Sequence, residues 1–402
     1  MSDVPHLRFP EFSGEWEKYK LSEVCSFYSG GTPSSSKKEY YDGSIPFIRS
    51  GEIHVNKTEL FITEEGLNNS AAKKVVIGDL LLALYGATSG DIAISQINGA
   101  INQAILCIRT TQNKKFVESV WKKHVNKLLQ TYLQGGQGNL SADIVKNISF
   151  YLTSNIEQNK LARFVSLLDE RIATQNKIIE DLKLLRDAIS DAMFCTPKQS
   201  APRKRIKGFY SDWQKVHLKD ICSRVSQKNT NGRCDLVLTI AAKYGLVSQL
   251  DFFNKSVASE NLEGYYLLQK GDFAYNKSYS SEYTCGAVKR LERYEEGVLS
   301  PLYICFRPDP SKVNSDYLSY YFESTKWYRE IMDISVEGAR NHGLLNISVV
   351  DYFNTIHRIP NMDEQKCIAN VIKAIMHKIS SEQTILDCYV KQRIFLLRQM
   401  FI

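Results

Sequence analysis

The chain has 402 residues, of which 43% are hydrophobic and 24% charged, a balance typical of a globular protein with two or three domains. It has no apolar run of about 18 residues and no apolar N-terminal segment, which excludes a transmembrane helix and a signal peptide. The net charge of +7 permits nucleic-acid binding without requiring it, and nine cysteines without a CxxC pair are typical of a cytoplasmic protein.

The first predicted domain, residues 1–156, mixes strands and a helix. The apolar runs at 45–48, 80–84 and 101–108 predict strands, and 115–133 predicts a helix.

Polar, glycine-rich loops separate these elements. Glycines let a backbone approach a DNA groove, while hydroxyl, amide and cationic side chains bind phosphates and base edges. Each such loop can also be an ordinary surface turn. The candidate DNA-binding residues of this domain are Thr32, Ser34, Ser35, Lys37, Lys38, Arg49, Ser50, Tyr85, Ser89, Gln137 and Asn139.

Residues 157–194 predict one long helix. Its apolar residues recur at alternating spacings of four and three, the heptad pattern of a coiled-coil seam. Two seam positions are polar, Gln175 and Arg186. About 38 residues make a helix about 57 Å long, whose apolar seam has to be buried. The apolar seam residues are Leu161, Val165, Leu168, Ile172, Ile179, Leu182, Ile189 and Met193.

Residues 195–208 predict a linker with five cations. It can contact DNA phosphates or be a solvated hinge.

Residues 209–363 repeat the first domain. Trp213 follows its counterpart Trp16 by 197 positions, and GVLSPLYICFR at 297–307 matches GAINQAILCIR at 99–109. A duplicated domain indicates two similar binding tasks.

Within the second copy, 303–306 predicts a strand and 315–332 a helix. Its loops give candidate DNA-binding residues on the same grounds as before. They are Lys228, Asn231, Arg233, Lys243, Tyr244, Asn276, Lys277, Ser278, Tyr279, Ser280, Arg340, Asn341 and His342.

Residues 364–402 predict a second long helix with the same heptad pattern. Its polar seam positions, Glu382 and Arg393, are the counterparts of Gln175 and Arg186. Its apolar seam residues are Ile368, Ile372, Ile375, Ile379, Leu386, Tyr389, Leu396 and Met400.

The sequence therefore predicts an α+β protein: two similar mixed α/β domains separated by two long helices that pair as an antiparallel coiled coil. The helices would hold the domains at opposite ends of a rod. A generic oligomerisation coil is the alternative, although it would need only one helix per chain.

Catalytic motifs are missing from the sequence. We find no GxxxxGK[ST] phosphate loop, no GxGxxG turn, no Asn/Asp-Pro-Pro-Tyr/Phe motif and no zinc-binding spacing of histidines or cysteines. The repeated Gly-Asp pairs at 78–79 and 271–272 are interpreted as turns, and the repeated cysteines as buried packing. We predict no catalytic residue, no metal site and no cofactor on this chain.

The order of domain, helix, domain and helix resembles the specificity subunits of type I restriction-modification enzymes over essentially the whole chain. Local motifs support this: the entry at Trp16 and at Trp213, SGGTPS at 29–34, IPFIR at 45–49, and the Glu-Gln that opens each helix at 157 and 364.

The resemblance implies a non-catalytic, cytoplasmic subunit whose two target recognition domains each read half of a bipartite, gapped site in double-stranded DNA. Because the two domains differ, the site should be asymmetric, with half-sites about one DNA turn (about 34 Å) apart. The paired helices imply a spacer that docks two adenine-methylating modification subunits and, through them, the restriction subunits. S-adenosylmethionine, ATP and Mg²⁺ would bind those partners, and no membrane is involved.

Two other classes of function stay open. A single-chain DNA methyltransferase or nuclease with an unrecognised motif would modify DNA alone, and a coiled-coil scaffold would ignore DNA.

Overall fold

The computed structural model describes residues 4–133, 139–253, 261–335 and 343–402 and has an α+β fold. Contacts divide the chain into two units: the first contains residues 1–176 and 384–402, and the second contains residues 177–383. Each unit therefore combines one mixed domain with part of both long helices. None of the helices in the described ranges is both long and apolar enough to cross a membrane.

The first unit contains short strands, four shorter helices and the start of a long helix. Its strands are β1 (Glu17–Lys20), β2 (Cys25–Ser29), β3 (Tyr41–Ile48), β4 (Phe61–Ile62), β5 (Lys73–Val75), β6 (Leu80–Ala83), β7 (Ile92–Ile94), β8 (Gly99–Ile101), β9 (Ile105–Thr110) and β10 (Ser149–Leu152). Its helices are α1 (Leu21–Val24), α2 (Glu64–Asn68), α3 (Lys114–Leu133), α4 (Ala142–Asn147) and α5 (Asn155–Met193).

Two four-stranded sheets and the two-stranded antiparallel sheet β1-β10 form this mixed domain. One has the order β2-β9-β6-β7 and is antiparallel; the other has the order β4-β3-β8-β5, in which β3 and β8 are parallel. All residues of β6 and the first four of β9 are buried, as expected for central strands covered on both faces. The core extends beyond the sheets, because Leu161 from α5 and Met400 and Phe401 from the end of the chain pack with Phe116 and Trp16.

The second unit repeats this plan. Its strands are β11 (Gln214–His217), β12 (Cys222–Arg224), β13 (Leu238–Ala241), β14 (Gly245–Ser248), β15 (Tyr266–Gln269), β16 (Phe273–Asn276), β17 (Ala287–Arg290), β18 (Glu296–Leu299), β19 (Ile304–Pro308) and β20 (Ile356–Ile359). Its helices are α6 (Leu218–Ile221), α7 (Gln249–Phe253), α8 (Ser315–Glu323), α9 (Tyr328–Ile334), α10 (Val349–Phe353) and the start of α11 (Met362–Met400).

The sheet β12-β19-β16-β17 has the same order as β2-β9-β6-β7 in the first unit, and the two-stranded sheet β11-β20 corresponds to β1-β10. β15-β18 and β13-β14 form two further two-stranded sheets. The core here takes in Met193 and Phe194 from the end of α5, and the Phe194 ring lies 5.4 Å from that of Tyr317.

Helices α5 and α11 pair antiparallel within each unit. In the first unit, Asp169 pairs with Arg393, and the Arg171 guanidinium donates to the Tyr389 hydroxyl at 2.8 Å. The residue numbers of the contacting pairs rise along α5 and fall along α11, as they do for antiparallel helices. The predicted seam residues of both helices are buried or half-buried in the burial pattern, and the positions between them in the helix centres are mostly exposed.

A buried ion pair fixes the start of each long helix. Arg8 contacts Glu157 through two hydrogen bonds of 2.8 Å, and Arg205 contacts Glu364 in the same way. Both carboxylates are buried, with 1% exposure. Arg205 belongs to the predicted basic linker, so this cation is occupied by a carboxylate within the protein.

The glutamine after each of these glutamates also has a fixed role. Gln158 accepts from the Asn113 backbone at 3.1 Å, and Gln365 accepts from the Asn314 backbone at 2.7 Å. These contacts join each long helix to the segment that follows β9 or β19.

Two predicted elements are divided in the structure. The run at 101–108 contains the end of β8, a turn at 102–104 and the start of β9, because the polar Asn102 interrupts the apolar sequence and makes turn hydrogen bonds. The predicted helix at 315–332 is interrupted after Glu323, where Ser324 bonds the Tyr321 carbonyl at 2.6 Å and Trp327 is buried in the core.

The repeated Gly-Asp pairs form turns, as interpreted. Gly78 and Gly271 have φ of 89° and 94°, which glycine adopts without a Cβ penalty. Asp79 and Asp272 accept backbone hydrogen bonds and face Arg109 and Arg307.

Candidate nucleic-acid interface

Several predicted loops of the first unit meet at one end of its sheets. β2 ends at Ser29 and β6 ends at Ala83, and both residues lie beside the first residues of β9. β3 ends nearby, because Ile48 pairs in parallel with Ile101, the last residue of β8. We call this edge the loop end of the first unit. The opposite end of β9 faces the long helix through Asn113.

A turn at 102–104 lies at the centre of the loop end. The Asn102 carbonyl accepts from the Gly30 and Ile105 backbones at 3.2 and 3.3 Å, and its side-chain oxygen accepts from the Ala104 backbone at 3.0 Å. A Cβ on Gly30 would lie 1.7 Å from the Ile101 carbonyl oxygen, so the loop can approach this closely only with glycine there.

Thr32 and Gln103 form a pair on this turn. The Thr32 hydroxyl donates to the Gln103 side-chain oxygen at 2.8 Å, and both residues are exposed. The hydroxyl therefore orients the glutamine amide, whose NH₂ group can meet an acceptor.

Tyr85 and Asn139 flank the same turn. The Leu84 backbone donates to the Ala104 carbonyl at 2.8 Å, and the Leu140 backbone donates to the Leu84 carbonyl at 3.0 Å. Both Tyr85 and Asn139 are exposed beside these contacts.

Ser89 has a local structural role. Its hydroxyl donates to the Leu84 carbonyl at 2.9 Å and closes the loop after β6. His54 and Asp91, 2.7 Å apart, connect this loop to the loop after β3, where Ser50 begins a short 3-10 helix.

Arg49 reaches the loop end but is held by carboxylates. Its guanidinium lies 2.7 Å from Glu52 and 3.0 Å from Glu59. The hydrogen bond to Glu52 raises the pKa of Arg49, and the same bond lowers the pKa of Glu52 to about 2. A phosphate that bound Arg49 would have to displace these carboxylates.

The remaining hydroxyls and lysines of the first glycine-rich loop turn away from the loop end. The Tyr41 hydroxyl donates to the Pro33 carbonyl at 2.6 Å, which directs the chain to the start of β3. Lys37 donates to the Tyr40 hydroxyl at 2.9 Å, which raises the pKa of Lys37. Ser34, Ser35 and Lys38 are exposed along this path.

The second unit has a corresponding loop end. β12 ends at Arg224 and β16 ends at Asn276 beside the start of β19. A turn at 300–303 joins β18 to β19 there, closed by a hydrogen bond of 3.2 Å from the Tyr303 backbone to the Ser300 carbonyl. Leu302 in this turn is 78% exposed.

The segment from Asn276 to Ser280 crosses this loop end. The Lys277 carbonyl accepts from the Leu345 backbone at 3.0 Å, and the Tyr279 backbone donates to the Gly343 carbonyl at 3.0 Å. The Asn276 side-chain oxygen accepts from the Ser278 backbone at 2.9 Å. These bonds hold the segment and leave Ser278, Tyr279 and Ser280 exposed.

Lys243 and Tyr244 at the β13–β14 hairpin tip join this cluster. Lys243 lies 2.9 Å from Glu282, and Tyr244 is 62% exposed. Lys228 lies over the Tyr266 ring, 4.0 Å from its centroid, and donates to the Gly264 carbonyl.

Arg233 lies elsewhere. It contacts Glu296 at 2.9 Å, the first residue of β18, whereas the loop end follows the last residue of that strand. Asn231, with φ of 61°, precedes it in a 3-10 turn. The predicted candidates Gln137, Arg340, Asn341 and His342 lie outside the described residues.

Sequence reasoning missed Gln103 and Leu302 as candidates. Both belong to the repeated blocks at 99–109 and 297–307, where the first was interpreted as continuous strand. The signal was the Asn-Gln pair between two apolar runs, which is typical of a turn.

A groove lies between the sheet domain and the long helix of each unit. In the first unit it has a volume of about 420 Å³ and is lined by Asn113 and Lys115 on one side and Arg163 and Leu167 of α5 on the other. In the second unit it has a volume of about 540 Å³. Its lining includes Arg290, Asp316, Tyr320, Lys373 and Met376.

Across the part of the chain that the structure describes, no three histidine, cysteine, aspartate or glutamate side chains are grouped to hold a metal ion.

Residues 13–184 match the model of the family described as the type I restriction modification DNA specificity domain. The chain is similar to the type I restriction enzyme MjaVIII specificity subunit of Methanocaldococcus jannaschii, with 21% identity over 92% of this chain and 87% of that protein. It is also similar to the EcoR124I/EcoR124II specificity subunit of Escherichia coli, with 28% identity over 44% of this chain and 45% of that protein.

The fold is similar to that of the type I restriction-modification S subunit from M. genitalium. The TM-score is 0.56 at 15% identity, and the match covers 99% of both chains. A chain from a study of complex assembly in the type I restriction-modification system matches with a TM-score of 0.58, at 15% identity, over 96% of this chain and 97% of that chain.

Proposed function

We infer that the chain is a member of the family of type I restriction-modification specificity subunits, and from that premise we propose that its two loop ends read the two different halves of a bipartite, gapped DNA site. The observation that carries the proposal is the duplication of one sheet with unlike loops at the same end. The repeated framework supplies two DNA-binding domains, and the different side chains at their loop ends would recognise different base sequences.

The chemistry of the two loop ends supports an asymmetric target. The first presents Thr32, Gln103 and Tyr85, a set of amide, hydroxyl and aromatic groups. The second presents Lys277 and Tyr279 with Leu302. Amide, hydroxyl and apolar groups discriminate base edges in the major groove, while lysines contact phosphates.

The paired helices act as the spacer in this proposal. Each is one uninterrupted helix of 39 residues, and each begins at a buried arginine–glutamate pair. A continuous helix cannot change its length without unwinding, so the gap between half-sites should be constant.

We further propose that the chain docks two modification subunits, one on the groove of each unit. The two grooves occupy corresponding positions beside the long helices, and Leu167 and Met376 expose 52% and 39% of their surface there. The modification subunits would methylate adenine with S-adenosylmethionine. The restriction subunits would join them with ATP and Mg²⁺, in the cytoplasm.

The test is reconstitution of the chain with its modification subunit and S-adenosylmethionine, followed by sequencing of methylated DNA and mass measurement of the complex. We expect an asymmetric bipartite motif and two modification subunits per chain. Leu167→Glu or Met376→Glu should each reduce the complex to one modification subunit, because each places a charge in one groove.

Leu250→Glu is the matched control, since Leu250 is a 61% exposed leucine on α7, outside both grooves, and the added charge should leave the stoichiometry at two. Methylation by the chain alone would favour an enzyme, and a motif that is not bipartite would contradict two readers. A full complex with both groove variants would place docking elsewhere.

A further inference from the structure

The turns at 102–104 and 300–303 occupy equivalent positions at the two loop ends. The first turn connects β8 to β9, and the second connects β18 to β19. The sequence blocks that contain the turns, 99–109 and 297–307, match each other. Both turns are rigid, since each is closed by backbone hydrogen bonds and continues into a fully buried stretch of strand. Side chains on such turns hold their geometry without a large entropy cost on binding.

Gln103 has the chemistry of a base-reading residue. Its side-chain oxygen already accepts from Thr32 at 2.8 Å, which leaves one lone pair and two N–H donors available. A glutamine amide recognises a purine in the major groove by donating to N7. Thr32 is then a positioning residue, because it fixes which way the amide points.

Three features favour DNA as the partner of Gln103. Gly30 lies on one side of the turn, so close to the turn backbone that a Cβ atom would not fit, and Tyr85 lies on another side. Among the described residues no carboxylate contacts the amide, in contrast to Arg49, whose cation is held by Glu52 and Glu59. The side chain is exposed, so binding does not first break a buried contact.

Leu302 gives the second turn a different chemistry. Its position matches Ala104, the residue after Gln103, and 78% of its surface is exposed although it is aliphatic. An apolar side chain at a base edge selects thymine through contact with the C5 methyl group.

Resting on the proposed function, we propose that these equivalent turns are the central specificity elements: Gln103, oriented by Thr32, selects a purine in the first half-site, and Leu302 selects a thymine in the second.

The test measures methylation motifs with the full complex of the chain and its modification subunit. Gln103→Ala should relax one purine position of one half-site, with discrimination falling about 5- to 150-fold. Gln103→Glu should turn that position towards cytosine, whose N4 amine donates to a carboxylate. Thr32→Val should relax the same position by a smaller factor, because the amide stays but loses its orientation.

Leu302→Ala should relax a thymine in the other half-site, by about fourfold for each methyl group of the leucine that no longer packs on the base. Gln130→Ala is the matched control for Gln103, since Gln130 is also exposed but lies on α3.

The outcomes separate this inference from the proposed function. If the wild-type complex methylates no bipartite motif, both the proposed function and this inference are wrong. A bipartite motif that Gln103→Ala and Gln103→Glu leave unchanged would overturn the role of Gln103, and the same result for Leu302→Ala would overturn the second turn. A change in the wrong half-site, or in both, would also contradict the assignment. An unaltered second half-site in the Gln103 variants shows that the chain is folded.

Discussion

The two units share a framework and differ at their loop ends. The sheet order, the glycine–aspartate turn and the arginine–glutamate pair recur, whereas the central turn is Asn-Gln-Ala in one unit and Ser-Pro-Leu in the other. The shared features lie in the sheet or where the long helix begins. The comparison teaches that duplication preserved the framework of sheet, turn and helix start, and that the two copies diverged in the loops that we propose contact DNA.

The largest expected difference between the units concerns the buried ion pairs. Arg205→Ala would leave Glu364 as a buried carboxylate without its cation, which should cost about 3–5 kcal/mol of unfolding free energy. Arg8→Ala should cost less, because Thr153 also donates to Glu157, and its counterpart Pro360 has no hydroxyl. Urea unfolding of the full chain measures both.

Arg203→Ala serves as the control for this pair. Arg203 is 68% exposed and contacts Asp191, so its loss should cost less than about 1 kcal/mol. If Arg8→Ala and Arg205→Ala lower the free energy of unfolding equally, the predicted difference between the two ion pairs is wrong.

A second difference concerns pH. His357 in β20 corresponds to Phe150 in β10, since they face Val216 and Tyr19 at matching positions. Burial lowers the pKa of His357 to about 3, and the ring is held neutral between Tyr321 at 3.0 Å and Thr355 at 2.9 Å.

The unfolded chain takes up a proton at this histidine near pH 6.5, whereas the folded chain does not until about pH 3. Stability from this site is therefore complete above pH 6.5 and falls as the pH drops, by about 2 kcal/mol at pH 5. Hydrogen exchange corrected for intrinsic rates should show β20 losing more protection than β10 between pH 7 and 5. Some loss is expected at β10 as well, because burial also lowers the pKa of His124, which stacks on Phe150. His357→Phe introduces the residue type that the first unit has at this position, and it should abolish the loss of protection of β20 at low pH. If β20 still loses protection in this variant, another titrating group is responsible.

The smallest expected difference lies in the glycine–aspartate turns. Arg307 binds Asp272 through two contacts of 2.6 and 2.8 Å, whereas Arg109 is 3.4 Å from Asp79, which Lys114 also approaches at 3.7 Å. Because both arginines are about half exposed, Arg307→Ala should cost about 1 kcal/mol and Arg109→Ala less. Urea unfolding of the two variants tests this, and a larger cost for Arg109→Ala would reverse the comparison.

The long helices and the duplication could be predicted from the sequence, because both are repeated patterns. The heptad spacing depends only on the period of the apolar residues, and the structure has α5 and α11 as single paired helices. The turn at 102–104 was harder to predict, because Ile101 and Ile105 make the run look continuous. The Asn-Gln pair was its only sequence signal, and the backbone and side-chain hydrogen bonds of Asn102 that close the turn depend on the fold.

The candidate site was predictable in outline only. Residue type selected Thr32, Tyr85 and Lys277 correctly as loop residues, but it could not distinguish them from Arg49, whose partner Glu59 is ten positions away, or from Arg233, whose partner Glu296 is distant in sequence. The tertiary fold determines which cations are already paired with carboxylates, and residue type alone does not indicate this pairing.

The packing of Leu397, Met400 and Phe401 into the first core has a consequence for synthesis on the ribosome. The core of the first unit is incomplete until these residues emerge, after the more than 200 residues of the second unit have been translated. At about 5–20 residues per second this takes roughly 10–40 s, during which Trp16 and Phe116 lack their final neighbours. The nascent chain is thus exposed to chaperones and proteases for that interval, and the first unit becomes complete only after the second unit has been made.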